Sequence, residues 1–75
     1  MNDKRLERIL SELEKIENIK IKKREHIIEI QENKQPLVVI YPVLECFTWK
    51  SNKLTKNGNY LLKGLNDLHY QKISD

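Results

Sequence analysis

Few side chains in this chain suit covalent, acid–base or metal chemistry, and those few stand apart. His26 and His69 are its two histidines and Cys46 its one cysteine. A structural zinc site draws about four Cys or His ligands in closely spaced pairs, and no such pair occurs. Ser11, Ser51 and Ser74 lack the His and Asp partners that would activate a nucleophile. Gly58 and Gly64 are the two glycines, so no glycine-rich loop is present to cradle a phosphate. The carboxylates scattered over the first segment suit solvation better than catalysis. These residues predict no catalytic, cofactor-binding or metal-binding site, and a protein that is not an enzyme. His26 and His69 read as surface or boundary residues. Cys46 reads as a small core side chain.

Two features carry binding chemistry instead. "KIKKR" places Lys20, Lys22, Lys23 and Arg24 within five positions. Such a run can contact phosphates, each contact adding a salt-dependent term. It can equally be the charged edge of a sheet that rejects other strands. The second feature is aromatic: Tyr41, Phe47, Trp49, Tyr60 and Tyr70. Trp and Tyr anchor protein interfaces and stack on bases. Trp49, Tyr60 and Tyr70 are the candidates for partner binding, while Phe47 and Trp49 also suit a core.

The elements that must position these residues follow from hydrophobic period. Leu6, Ile9, Leu10, Leu13 and Ile16 recur at helical spacing and predict a helix over 2–18, capped by Asn2 or Asp3. That face can pack on the domain's own sheet. Leu6, Ile9, Leu13 and Ile16 also fit two heptads of a seam, which predicts a partner-binding helix and a homodimer. Residues 19–30 suit helix or strand, and the tandem β-branched residues favour strand. A β-hairpin is expected with strands near 26–31 and 37–41 and a connection of four or five residues. Pro36 stands where a strand can begin and Pro42 where it should stop. Phe47 and Trp49 suggest a short third strand. Thr55 is a good N-cap for a last helix, whose stripe is Leu61, Leu62, Leu65, Leu68 and Ile73. Gly64 inside it costs about 1 kcal/mol against alanine, so it should serve close packing or mark an early end of the helix. The fold class expected is α+β: an N-terminal amphipathic helix, a small antiparallel sheet of two or three strands, and a C-terminal helix, in one domain over 1–75.

Composition narrows the class further. Net charge is +3, from 14 basic and 11 acidic residues, which is mild for a dedicated nucleic-acid binder. Ile, Lys and Asn are abundant and alanine is absent. That usage points to an A/T-rich coding sequence, as in low-GC bacteria and their phages. No stretch reaches the roughly 20 apolar residues of a membrane span. "MNDKRLERIL" has no apolar leader core. The chain is therefore read as a complete cytoplasmic protein that has no membrane contact.

"KLTKNGNYLLKGL" resembles the closing segment of winged-helix DNA-binding proteins, in which a wing strand ends in Leu-Thr and the threonine caps a final helix. Leu54, Thr55, Gly58, Leu61 and Leu62 carry the likeness. It implies a DNA-binding regulator, with Lys20, Lys22, Lys23 and Arg24 as nucleic-acid contacts. "QPLVVI" is similar to the Gln-plus-hydrophobic peptides by which bacterial proteins dock on the replicative sliding clamp, at Gln35, Val38 and Ile40. With no catalytic constellation, the first expectation is a small protein-interaction module, phage-encoded, that binds and modulates a host replication or transcription component. The winged-helix regulator is the alternative.

Overall fold

The computed structural model describes residues 3–73. Helix α1 (Asp3–Glu14) leads into strands β1 (Ile19–Lys23), β2 (Ile28–Glu32), β3 (Gln35–Tyr41) and β4 (Cys46–Trp49). Helix α2 (Lys56–Asp67) and strand β5 (Gln71–Ile73) complete the chain. The strands form one sheet in the order β1-β2-β3-β4-β5. The first four make an antiparallel meander, and β5 lies parallel to β4. The α+β class is as expected. The sheet has five strands rather than two or three, and it is mixed rather than purely antiparallel.

Side-chain alternation along the strands decides which face is covered. Ile28, Ile30, Val38, Ile40 and Phe47 share one face and are buried. They join Leu6, Leu10 and Leu13 of α1 and Leu61 and Leu65 of α2 in a single core. Both helices therefore pack on one side of the sheet, the layered arrangement that buries an amphipathic stripe. The opposite face carries Lys20, Lys22, Glu29, Gln31, Val39 and Tyr41, which are half-exposed or exposed. Cys46 and Thr48 also point that way, yet are buried. Their small side chains sit in register between larger neighbours, Tyr41 and Val39 on β3 and Gln71 and Ile73 on β5.

Three connections differ from their predicted form, each for a local reason. Helix α1 ends at Glu14, not near residue 18, because Ile16 N–H bonds back to the Leu13 carbonyl and Ile19 N–H to that of Ile16. The expected start at Asn2 lies outside the described residues. The β2–β3 hairpin closes in two residues rather than four or five. Asn33 and Lys34 both have positive φ, 54° and 66°, the conformation of a tight primed turn. The register shifts between Ile30 and Gln31, so Leu37 is inserted as a bulge and is buried beside Val38. The β3–β4 turn begins at Pro42, where the strand was expected to stop, and closes with Glu45 at φ 54°.

The end of α2 changes the reading of Ile73. His69 N–H donates to the Asn66 carbonyl and Tyr70 N–H to that of Leu65. This is the Schellman pattern, with His69 (φ 64°) in the left-handed position that glycine usually fills. The turn reverses the chain into β5, so Ile73 lies on an edge strand, 40% exposed, and not on the helical stripe. Tyr70 and Leu65 are both buried in the core, completing the hydrophobic part of the motif.

A non-glycine residue in this conformation costs about 1 kcal/mol. His69→Gly is therefore expected to raise unfolding stability by about 1 kcal/mol, read as a higher urea midpoint with unchanged slope. His69→Ala should give no such gain.

Candidate functional site

The position of α2 is set by a carboxylate. Glu32 ends β2 with its side chain on the helix-covered face, following Ile28 and Ile30 in alternation, and is 8% exposed. Thr55 Oγ1 donates to Glu32 Oε1 at 2.6 Å, and Asn57 Nδ2 donates to Oε2 at 3.1 Å. Thr55 Oγ1 also accepts from Gly58 N–H at 3.1 Å, the N-cap bond that starts the helix. A negative charge at a helix N-terminus is favoured by the helix dipole and by its unpaired N–H groups. The hairpin turn beside it is tied in turn to the α1–β1 connection. Asn18 Nδ2 donates to Asn33 Oδ1 at 2.9 Å, and Asn33 N–H donates to the Asn18 carbonyl.

The glycines of α2 mark its two close contacts. A Cβ on Gly58 would meet the Trp49 indole at 3.2 Å. The glycine in "LTKNG" therefore lets Trp49 lie across the first turn of α2. A Cβ on Gly64 would stand 2.6 Å from Ile9 Cδ1. The close packing expected of Gly64 is thus the crossing of α1 and α2.

Above that crossing lies a groove of about 260 Å³. Ile9, Gly64 and Leu68 line it as an apolar base, Arg5 and Arg8 border it from α1, and Tyr60, Lys63 and Asp67 border it from α2. Three cations thus face one carboxylate around an apolar base. Tyr60 is 47% exposed, a large aromatic available to an incoming surface. A second cleft, of about 370 Å³, opens beside the β2–β3 turn and includes Glu32, Lys50, Lys53 and Thr55. The Glu32 oxygens there are engaged by Thr55 and Asn57.

The residues expected from sequence to bind a partner divide between core and surface. Leu6, Leu13 and Tyr70 are buried in the domain's own core. The α1 stripe packs on the chain's own sheet, the intramolecular one of the two roles open to that helix face. Ile9, Ile16 and Trp49 are partly buried against the same core. Tyr60 is the one of the set that stands open. Lys20, Lys22 and Lys23 lie on β1 and Arg24 just beyond it. Lys23 Nζ pairs with Glu7 at 3.1 Å and Arg24 Nε with Glu29 at 3.3 Å, while Lys20 and Lys22 point from the open face. Val38 and Ile40 are buried within β3, so "QPLVVI" is a sheet strand and not a displayed docking peptide. His26 and His69 are exposed and Cys46 is buried. Among the described residues, no group of three or more His, Cys, Asp and Glu could hold a metal ion. No helix among them is long and apolar enough to cross a membrane. Arg5, Arg8, Lys63 and Glu32 escaped sequence reasoning. The period of two through Ile28, Ile30 and Glu32 was the signal for Glu32.

Comparison with protein-family models, curated proteins and solved structures finds no match for this chain.

Two outcomes test the site's framework. Thr55→Ala removes the N-cap bond and one partner of a buried carboxylate, and should cost about 2 kcal/mol by urea denaturation, with Thr55→Ser close to wild type. Ile9→Val removes the Cδ1 atom that a Cβ at residue 64 would meet. In a double-mutant cycle, Gly64→Ala should therefore be more favourable in the Ile9→Val background, with a coupling of about 1 kcal/mol.

Proposed function

We propose that this chain is a small non-catalytic interaction module that docks a protein partner on the groove between α1 and α2. The observation that carries this reading is the groove's composition: exposed Tyr60 beside Arg5, Arg8 and Lys63 over an apolar base. Tyr and Arg dominate interface energetics because each combines large contact area with directed hydrogen bonds. The excess of positive charge selects an acidic partner surface and speeds encounter with it. The target class is a replication or transcription component of a host bacterium, the phage-encoded setting suggested by the chain's residue usage.

Direct DNA binding is the second reading. It is favoured by Lys20 and Lys22, which project from the open sheet face with no ion pair among the described residues. On this reading, replacing Lys20, Lys22, Lys23 and Arg24 together abolishes binding, and affinity falls steeply with salt.

The two readings part in one experiment. A photo-crosslinking amino acid replaces Tyr60 in the chain expressed in a low-GC bacterial host. The interaction reading expects crosslinks to a component of the replication or transcription machinery, lost when Arg5, Arg8 and Lys63 are changed to Glu. Crosslinks that survive this charge reversal, or a DNA mobility shift with no protein crosslink, would overturn it.

A further inference from the structure

We propose that β1 is an acceptor edge that takes an extended acidic peptide as a sixth strand of the sheet. The hydrogen-bond phase of the β1–β2 ladder is fixed by its two ends. Asn33 N–H donates to the Asn18 carbonyl, and Arg24 N–H donates to the Ile27 carbonyl. Antiparallel partners alternate between bonded and non-bonded pairs. Starting from Asn18/Asn33, the bonded pairs are Lys20/Gln31 and Lys22/Glu29, ending at Arg24/Ile27. The backbone groups of Ile19, Ile21 and Lys23 therefore point away from β2. Ile19 N–H is taken by the Ile16 carbonyl. The N–H and C=O groups of Ile21 and Lys23 have no backbone partner among the described residues. An edge with such groups is a template for strand addition.

Charge decides which strand it takes. Lys20 and Lys22 stand two residues apart on the open face, and both are exposed. A second copy of β1 would bring lysines against lysines, and like charges directly opposite are destabilising. A peptide with Asp or Glu at every second position brings a carboxylate to each lysine instead. Its alternate side chains fall on the helix-covered side, where half-buried Ile21 calls for an apolar residue. The chemistry selected is an alternating acidic and β-branched segment in extended form. The edge lies on β1, apart from the groove between the helices, so the two docking surfaces fail or succeed separately.

The test is an NMR titration of the full chain with a synthetic peptide of alternating Glu and Val, about seven residues long. Binding is expected to slow exchange of the Ile21 and Lys23 amides, with the Lys20 and Lys22 amides already protected by β2. N-methylation of the peptide on the residues facing β1 should weaken binding about fivefold or more, the worth of one directed hydrogen bond. Lys23→Pro deletes an outward N–H and leaves the inward ladder intact, and should weaken it comparably. Three results would overturn the proposal: no protection at Ile21 and Lys23, indifference to N-methylation, or duplex DNA outcompeting the peptide at equal charge concentration.

Discussion

The Glu32 carboxylate beneath the first turn of α2 is the contact on which the arrangement of this domain rests. One side chain joins the end of β2, the cap residue Thr55 and the first-turn residue Asn57. A buried carboxylate without partners would be expensive, since its desolvation is offset only by directed hydrogen bonds. Both of its oxygens are engaged, and the same threonine bonds Gly58 N–H. The start of α2 is thus fixed on the sheet. The helix then runs across the core so that Gly64 meets Ile9, and Trp49 covers Gly58. The groove with Arg5, Arg8, Tyr60 and Lys63 exists because of that crossing.

A chain this small has a thin core, and its tight connections compensate. Asn33, Lys34, Glu45 and His69 all adopt positive φ, while neither glycine does. The glycines are used where backbones and rings approach closely, and ordinary residues take the left-handed turns. This exchange places local strain in the turns to obtain close packing at the helix crossing and beneath the indole. Leu6 and Leu13 of α1, which suit a coiled-coil seam by spacing, are used inside the fold. With Leu6, Leu10 and Leu13 buried, the α1 stripe is taken up by the domain's own core.

The parts of the fold legible in the sequence are those with strong local physics. Thr55 marks the start of α2 because few residues cap as well, and the hairpin strands show because "LVVIY" can bury both alternation and bulge. Pro42 ends β3 as its missing N–H requires. The parts that were not legible lack such signals. Strand β1 has only two apolar positions in "IKIKK" and gains its order by pairing with β2. Strand β5 follows α2 so closely that Ile73 continues the helical stripe by spacing, and the glycine that would have marked the turn is replaced by His69. The two-residue hairpin turn is hidden for the same reason, since Asn33 and Lys34 carry no Asn-Gly signature. Of the groove, Tyr60 and the close packing at Gly64 were readable. Arg5, Arg8 and Lys63 were not, because only the helix crossing brings them together.

If Glu32 couples α2 to the hairpin, the helix and the sheet must open as one unit. Native-state hydrogen exchange resolved by residue reads this directly. The amides of Leu61 and Leu65 should exchange with the same opening free energy as those of Ile30 and Val38, and Thr55→Ala should lower all four together. Helix amides that exchange at a distinctly lower free energy while the sheet stays closed would show that α2 is held by its leucines alone, and would contradict the central role of Glu32.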